Sequence, residues 1–333
     1  MQFDEHRLHD IFSNIQNKFV AVIGDVMLDR YIWGKVSRIS PEAPVPVVDV
    51  QRESHHLGGA SNVALNSRSL GVVPVLVGVI GRDSSGNELR DILERTNIAT
   101  DFLIEDANRP TTVKTRVIAG SQHVVRIDFE DRQQIDADTT RRLIDRLESH
   151  IGSIHSIILQ DYNKGVIGVD LIQRVITLAR SRDIPVLVDP KYTNFFEYKG
   201  VSVFKPNRTE TENALKIRLT DEESFVNAAR EVRERLQCDH VLLTLGEMGM
   251  LLLQSDGGVI RVPTKARTVA DVSGAGDTVI ATLAAAIAGN ATLAEAAHIA
   301  NFAGGLVCEE IGIVPVNRDD LYDAACGKLG VMD

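Results

Sequence analysis

Only three cysteines, Cys238, Cys308 and Cys326, occur in 333 residues, far apart and without a C-x-x-C pair. That excludes a disulfide framework and a zinc knuckle, and suits a reducing compartment, the cytoplasm. Long apolar runs are missing as well. The most apolar one, VIATLAAAIAG at 279–289, falls far short of the roughly 18–20 residues that a membrane span requires. The N-terminus MQFDEHRLHD lacks the basic-then-apolar order of a secretory signal. Clusters of Lys and Arg are absent and the net charge is −10, so neither nucleic acid nor an anionic membrane is expected as the main partner. Two phosphate-binding signatures are also lacking: GxxxxGK followed by Ser or Thr, and GxGxxG. The second absence removes the main support for a nicotinamide dehydrogenase.

What is present is an ordinary globular composition, 44% apolar and 25% charged, in a chain long enough to bury a sizeable core. FVAVIGDVM, VVPVLVGVI, SIHSIILQD, DIPVLVDP, VSVFKPN and HVLLTLG read as buried strands. Between them GGASNVALNSRSLG, SGNELRDILERTNI, GVDLIQRVITLARSRD and DEESFVNAAREVRERLQC read as helices. This alternation implies a mostly parallel sheet with helices on both faces. Leu8, Ile11, Phe12 and Ile15 recur at helical spacing and predict a docked amphipathic helix over 5–16.

Two stretches break the alternation. SPEAPVPVVDV (40–50) carries prolines, which confine it to a sheet edge or strand end, and PTTVKTRVIAGSQHVVRIDFE (110–130) reads as a hairpin turning at Ala119–Gln122. The expectation is one domain over 1–333 with a small sheet, a lid, built from segments at about 30–54 and 110–130. Val45, Val47 and Val48 would leave an apolar face on that sheet, which predicts a homodimer through paired lids.

The chemistry-bearing stretch is DVSGAGDTV (271–279). Gly274 and Gly276 let consecutive amides turn toward one point, and the helix that follows adds the positive end of its dipole, so an anion belongs there. Asp277 either complements that dipole as a first-turn carboxylate, or takes the proton of a substrate hydroxyl while Gly274, Ala275 and Gly276 stabilise charge on a transferred phosphoryl group. Asn207 and Glu210 have a similar double reading. Three apart at a helix start, they form either a capping box or a magnesium site reached through water.

DVSGAGDT, LGGASNVA (57–64) and Asn207-Arg208-Thr209-Glu210 occur in the order of the three signatures of the ribokinase-like (PfkB) sugar kinases, and the resemblance runs from about residue 18 to 325. It implies a three-layer α/β/α sandwich with a mostly parallel central sheet and a small β-sheet lid, and phosphoryl transfer from ATP with Mg2+. By the same resemblance Asp277 is the general base beside Gly274, Ala275 and Gly276. Asp29 binds sugar hydroxyls together with Gly58, Gly59 and Asn62, while Asp25 either assists or orders the loop. Asn207 and Glu210 serve the metal, and Thr244, Gly246 and Gly249 of LLTLGEMGM the nucleotide. Asn301 flanks the adenine, and a potassium-type ion near the amide pocket has Asp271 as a possible ligand.

GDVMLDRYIWGKVSRISPEAPVPVV (24–48), ILQDYNKGVI (158–167) and VLVDPK (186–191) are similar to the heptose-phosphate branch of that family, which phosphorylates D-glycero-D-manno-heptose 7-phosphate at O1 on the way to lipopolysaccharide core precursors. In that branch the kinase is often fused to a nucleotidyltransferase with an H-x-G-H motif. The motif is missing from these residues, and a stand-alone kinase is the expectation. A clamp for the distal phosphate is expected from Arg38, Lys164 and Lys191, with Arg116 and Arg126 as second choices. Two alternatives stay open: another acceptor, such as ribose or a fructose phosphate, and a silent sugar-binding regulator on the same scaffold.

Overall fold

In the central strands, successive side chains point to opposite faces, so each strand feeds two cores. Val20 and Val22 join one apolar cluster with Leu76, Ile158, Leu187 and Leu242, whereas Ala21 and Ile23 join another with Val77, Ile157, Leu159 and Val188. A sheet apolar on both faces must be covered on both. Helices Glu5–Ile15, Ala60–Ser69, Ala275–Ala288 and Leu293–Cys308 pack on the first face. Helices Ala137–Glu148, Val169–Arg180 and Glu222–Leu236 pack on the second. The result, in a computed structural model that describes residues 3–120, 122–264, 270–310 and 312–328, is a three-layer α/β/α sandwich.

Among the described residues the central sheet has nine strands in the order Val259–Val262, Met250–Leu253, His240–Thr244, Val203–Phe204, Val186–Asp189, Ile154–Gln160, Phe19–Gly24, Val73–Gly81 and Leu103–Asp106. Pairing is parallel from His240–Thr244 onward and antiparallel in the first two steps. The C-terminal ends of the parallel strands therefore lie along one edge, and open α/β sheets bind ligands there.

A second sheet, ordered Pro46–Gly59, Val26–Ile39, Thr112–Ala119 and Gln122–Phe129, stands beyond that edge. It starts earlier and ends later than the expected 30–54. Only Asp25 separates the first central strand from Val26–Ile39, and Pro46–Gly59 runs directly into the helix Ala60–Ser69. The cause is visible in the pairing of Val26 with Gly59 and of Leu28 with Leu57, which carries buried apolar residues through both strands. The hairpin turn falls where the spacing predicts, with Ser121 outside the described residues. Pro46 opens an edge strand, the place a residue without an amide donor tolerates best. No described helix is long and apolar enough to cross a membrane.

Candidate active site

Polar residues end the apolar strands at this edge: Gln160, Asp189, Lys205 just after Val203–Phe204, and Thr244. The first three meet the helix Ala275–Ala288, whose N-cap Gly274 has φ +81°, a left-handed backbone that favours glycine. Asp277 lies in the first turn, buried. Its Oδ1 accepts from Tyr162 OH at 2.7 Å and Gln160 Nε2 at 3.0 Å, and its Oδ2 accepts from Asn62 Nδ2 at 2.8 Å. Burial pushes its pKa up to about 7, against the hydrogen bonds from Asn62 and Tyr162 that favour the carboxylate.

Lys205 is buried beside it. Its Nζ pairs with Asp189 Oδ1 at 3.0 Å, and a Cβ placed on Gly276 would lie 3.8 Å from both that ammonium and Asp189 Oδ2. An ammonium thus faces the same glycine-rich turn as the helix dipole. Gln160 bridges the two carboxylates, because its Nε2 also reaches Asp189 Oδ2 at 3.2 Å. None of Gln160, Tyr162, Asp189 and Lys205 was singled out from sequence. The signal that marks them is a polar residue closing an apolar strand run, as in SIIL-Gln, VLV-Asp and VF-Lys.

Asp25 is spent on the loop that follows Gln160: its carboxylate accepts the backbone amides of Tyr162 at 2.8 Å, Lys164 at 3.1 Å and Val166 at 3.1 Å. Burial and the charge of Asp161 raise its pKa to about 6. These bonds tie the loop to the seam between the two sheets. Asp29, on the second sheet, is buried and paired with Arg116. A Cβ on Gly58 would fall 2.2 Å from Asp29 Oδ2, so only glycine leaves room for that carboxylate. Gly59 caps the helix that carries Asn62. The Asn62 side chain reaches Asp277, and its own oxygen accepts from Asn66 Nδ2 at 3.2 Å.

Asn207 and Glu210 form a capping box at the start of the helix Arg208–Leu215. Glu210 Oε2 accepts the Asn207 amide at 2.9 Å, while its Oε1 faces Lys191 Nζ. Thr244 lies against Asn207 through a parallel bridge, and Gly246 and Gly249 open and close the turn that follows it. Asn301 is buried and donates to Pro263 O at 2.7 Å, on the side of the antiparallel edge strands. Asp271 accepts the amides of Ser273 at 2.9 Å and Gly312 at 3.2 Å, which makes it a brace between two loops.

The expected phosphate clamp is not one cluster. Arg38 pairs with Asp49 at 3.8 Å on the outer end of its strand, nine residues beyond Asp29 or about 30 Å of extended chain. Lys191 sits on Glu210 and over the Tyr162 ring at 5.4 Å, on the Asp277 side. Lys164 Nζ pairs with Glu130 Oε2 at 2.6 Å, and Lys114 shares that carboxylate at 3.5 Å. Arg116 pairs with Asp29, which lies opposite Lys114 in the sheet register, whereas Arg126 stands exposed on Asp128.

Residues 17–318 match the profile of the pfkB family carbohydrate kinases. The chain belongs to that family and is a sugar kinase. It is 44% identical over 321 residues to the bifunctional protein HldE of Pelobacter propionicus and 44% identical over 327 residues to that of Geobacter sulfurreducens. These matches cover 96% and 98% of this chain but 66% of each relative, so the chain spans about two thirds of their length. In fold it is similar to phosphofructokinase-2 from Escherichia coli in complex with potassium, with TM-score 0.75 and 20% identity. It is also similar to Arabidopsis thaliana ribokinase complexed with ribose and ATP, with TM-score 0.74 and 18% identity. Each likeness covers 93% of this chain and 99% of the other.

Proposed function

We propose that this kinase transfers the γ-phosphoryl group of ATP to O1 of D-glycero-D-manno-heptose 7-phosphate, with Asp277 as general base. The observation that carries the chemistry is the juxtaposition of a buried carboxylate, whose pKa is near 7, with an ammonium and a glycine-rich helix start. A base poised near the working pH is the efficient one. The proton of the O1 hydroxyl passes to Asp277 as O1 bonds to the γ-phosphorus, and the bond to the β–γ bridging oxygen breaks, leaving ADP. Lys205 and the amides at 274–276 offset the negative charge on the phosphoryl oxygens.

A magnesium ion bound with ATP supplies further charge neutralisation. Glu210 fits it through water, since magnesium takes few protein carboxylates and keeps several waters. Lys191, which shares Glu210, belongs with the triphosphate in this reading. A monovalent cation near the amide pocket would have Asp271 beside it, and turnover in potassium against a bulky organic cation tests that part.

The choice of heptose rests on the branch segments at 24–48, 158–167 and 186–191. The bifunctional, longer relatives suit a branch in which the kinase is often joined to a second enzyme. The far phosphate is assigned to Lys164 with Lys114 and Arg116, the basic group nearest Asp29. Turnover of a sugar panel should favour heptose 7-phosphate over ribose and fructose 6-phosphate; preference for either of those would defeat the assignment. Lys164→Ala should raise KM for the phosphorylated sugar about tenfold or more and leave that for the unphosphorylated sugar nearly unchanged, as loss of one charge-assisted contact predicts. Equal changes in both would remove Lys164 from the clamp.

The second sheet is read as a lid and as a dimer contact. Of twelve large apolar side chains that stand exposed among the described residues, seven lie at 36–50 and 125–129, among them Ile39, Val50, Ile127 and Phe129. A concentration of that kind calls for a cover, and a second copy supplies one. Light scattering at micromolar concentration should give the dimer mass, and a monomer mass would contradict it. The cytoplasm, where ATP is abundant and cysteines stay reduced, is the proposed location.

A further inference from the structure

The bonds around Asp277 distinguish its two oxygens. A carboxylate offers about four lone-pair positions, two per oxygen. Oδ1 receives both Tyr162 OH and Gln160 Nε2, so its positions are taken. Among the described residues, Oδ2 receives only Asn62 Nδ2, which leaves one position open. Both Oδ1 donors belong to a wider network: the Tyr162 backbone amide is bonded to Asp25, its ring lies under Lys191 Nζ at 5.4 Å, and Gln160 Nε2 is shared with Asp189. Asn62 is fixed in turn by Asn66, whose own oxygen accepts from Thr278 Oγ1 at 3.0 Å and the Val316 amide at 3.1 Å.

We infer that the substrate proton is taken by Oδ2, and that Tyr162 and Gln160 are positioning residues that fill Oδ1 and hold the carboxylate in its plane. This rests on the reading of Asp277 as the base. Tyr162 has a second effect. Its hydroxyl donates to the ionised form and so favours it, which opposes the burial that raises the Asp277 pKa. The other charged groups facing this carboxylate are Asp189 and Lys205, from the ends of the neighbouring strands, and Lys191 beyond the Tyr162 ring. Those three stay in place when only the tyrosine hydroxyl is removed.

The experiment is the pH profile of kcat/KM for Tyr162→Phe beside wild type and Asp277→Asn. Loss of one charge-assisted donor should move the acid limb to higher pH by about one unit, a tenfold loss of rate at pH below the limb. Rate should return to within about threefold of wild type at high pH, where the carboxylate is ionised regardless. Site-specific 3-fluorotyrosine at 162, a stronger donor that keeps the hydroxyl and the fold, should move the limb the other way. A limb unmoved by either change would overturn the assignment of Oδ1 to Tyr162 and with it the choice of Oδ2. If that happened while Asp277→Asn was inactive, the base reading would stand and only this inference would fall; an active Asp277→Asn would sink the base reading itself.

Discussion

Asp277→Asn should lower kcat by about 10²–10⁴, the range for losing a positioned general base, while ATP still binds. The carboxylate lies in the first turn of a helix, beside an ammonium and next to the expected place of the terminal phosphate. An anion there opposes the phosphate, so removing its charge should leave nucleotide affinity unchanged or tighter. Calorimetric titration with ATP and steady-state rates separate the two effects. In wild type kcat/KM should climb as pH rises through about 7, because the form that accepts a proton is the ionised one. The amide has no such titration, and that limb should vanish. Turnover within tenfold of wild type would mean that the proton leaves by another route.

Lys205→Met should cost the fold about 3–5 kcal/mol, measured by urea unfolding, because it strands the Asp189 carboxylate without its partner in a buried site. Only 2% of Lys205 and 7% of Asp189 is exposed, so water cannot substitute. The double variant Lys205→Met, Asp189→Asn removes the stranded charge and should recover most of the loss. Activity should stay low in the double variant, since the ammonium beside Gly276 is gone. A stability loss below about 1 kcal/mol in the single variant would show that Asp189 finds another partner or a proton.

How much of this was legible in the chain varied with distance along it. Gly274, Ala275, Gly276 and Asp277 are contiguous, so their shared pocket follows from local backbone physics. The layered fold follows equally from local alternation. Gln160, Tyr162, Asp189 and Lys205 stand on three different strand ends and reach Asp277 only because parallel pairing lays those ends side by side. Their spacing in sequence carries no trace of that order. Arg38, Lys164 and Lys191 make a related point. Their nearness in marked segments does not bring them together in space: a strand carries Arg38 away from Asp29, and the turn after Asp189 aims Lys191 at Glu210. Asn207 and Glu210 show a third case: the structure shows the capping box, while the metal role proposed for the same two side chains leaves no separate mark in the chain.

The seam at Asp25 has a mechanical meaning. Because one residue joins the central strand to the second sheet, and the return strand enters its helix without a linker, these two strands have no slack tether on which to swing. Any movement of them against the core must come from flexing of the long strands themselves, and a load on their outer ends would be felt at the very carboxylate that pins the Tyr162–Val166 loop.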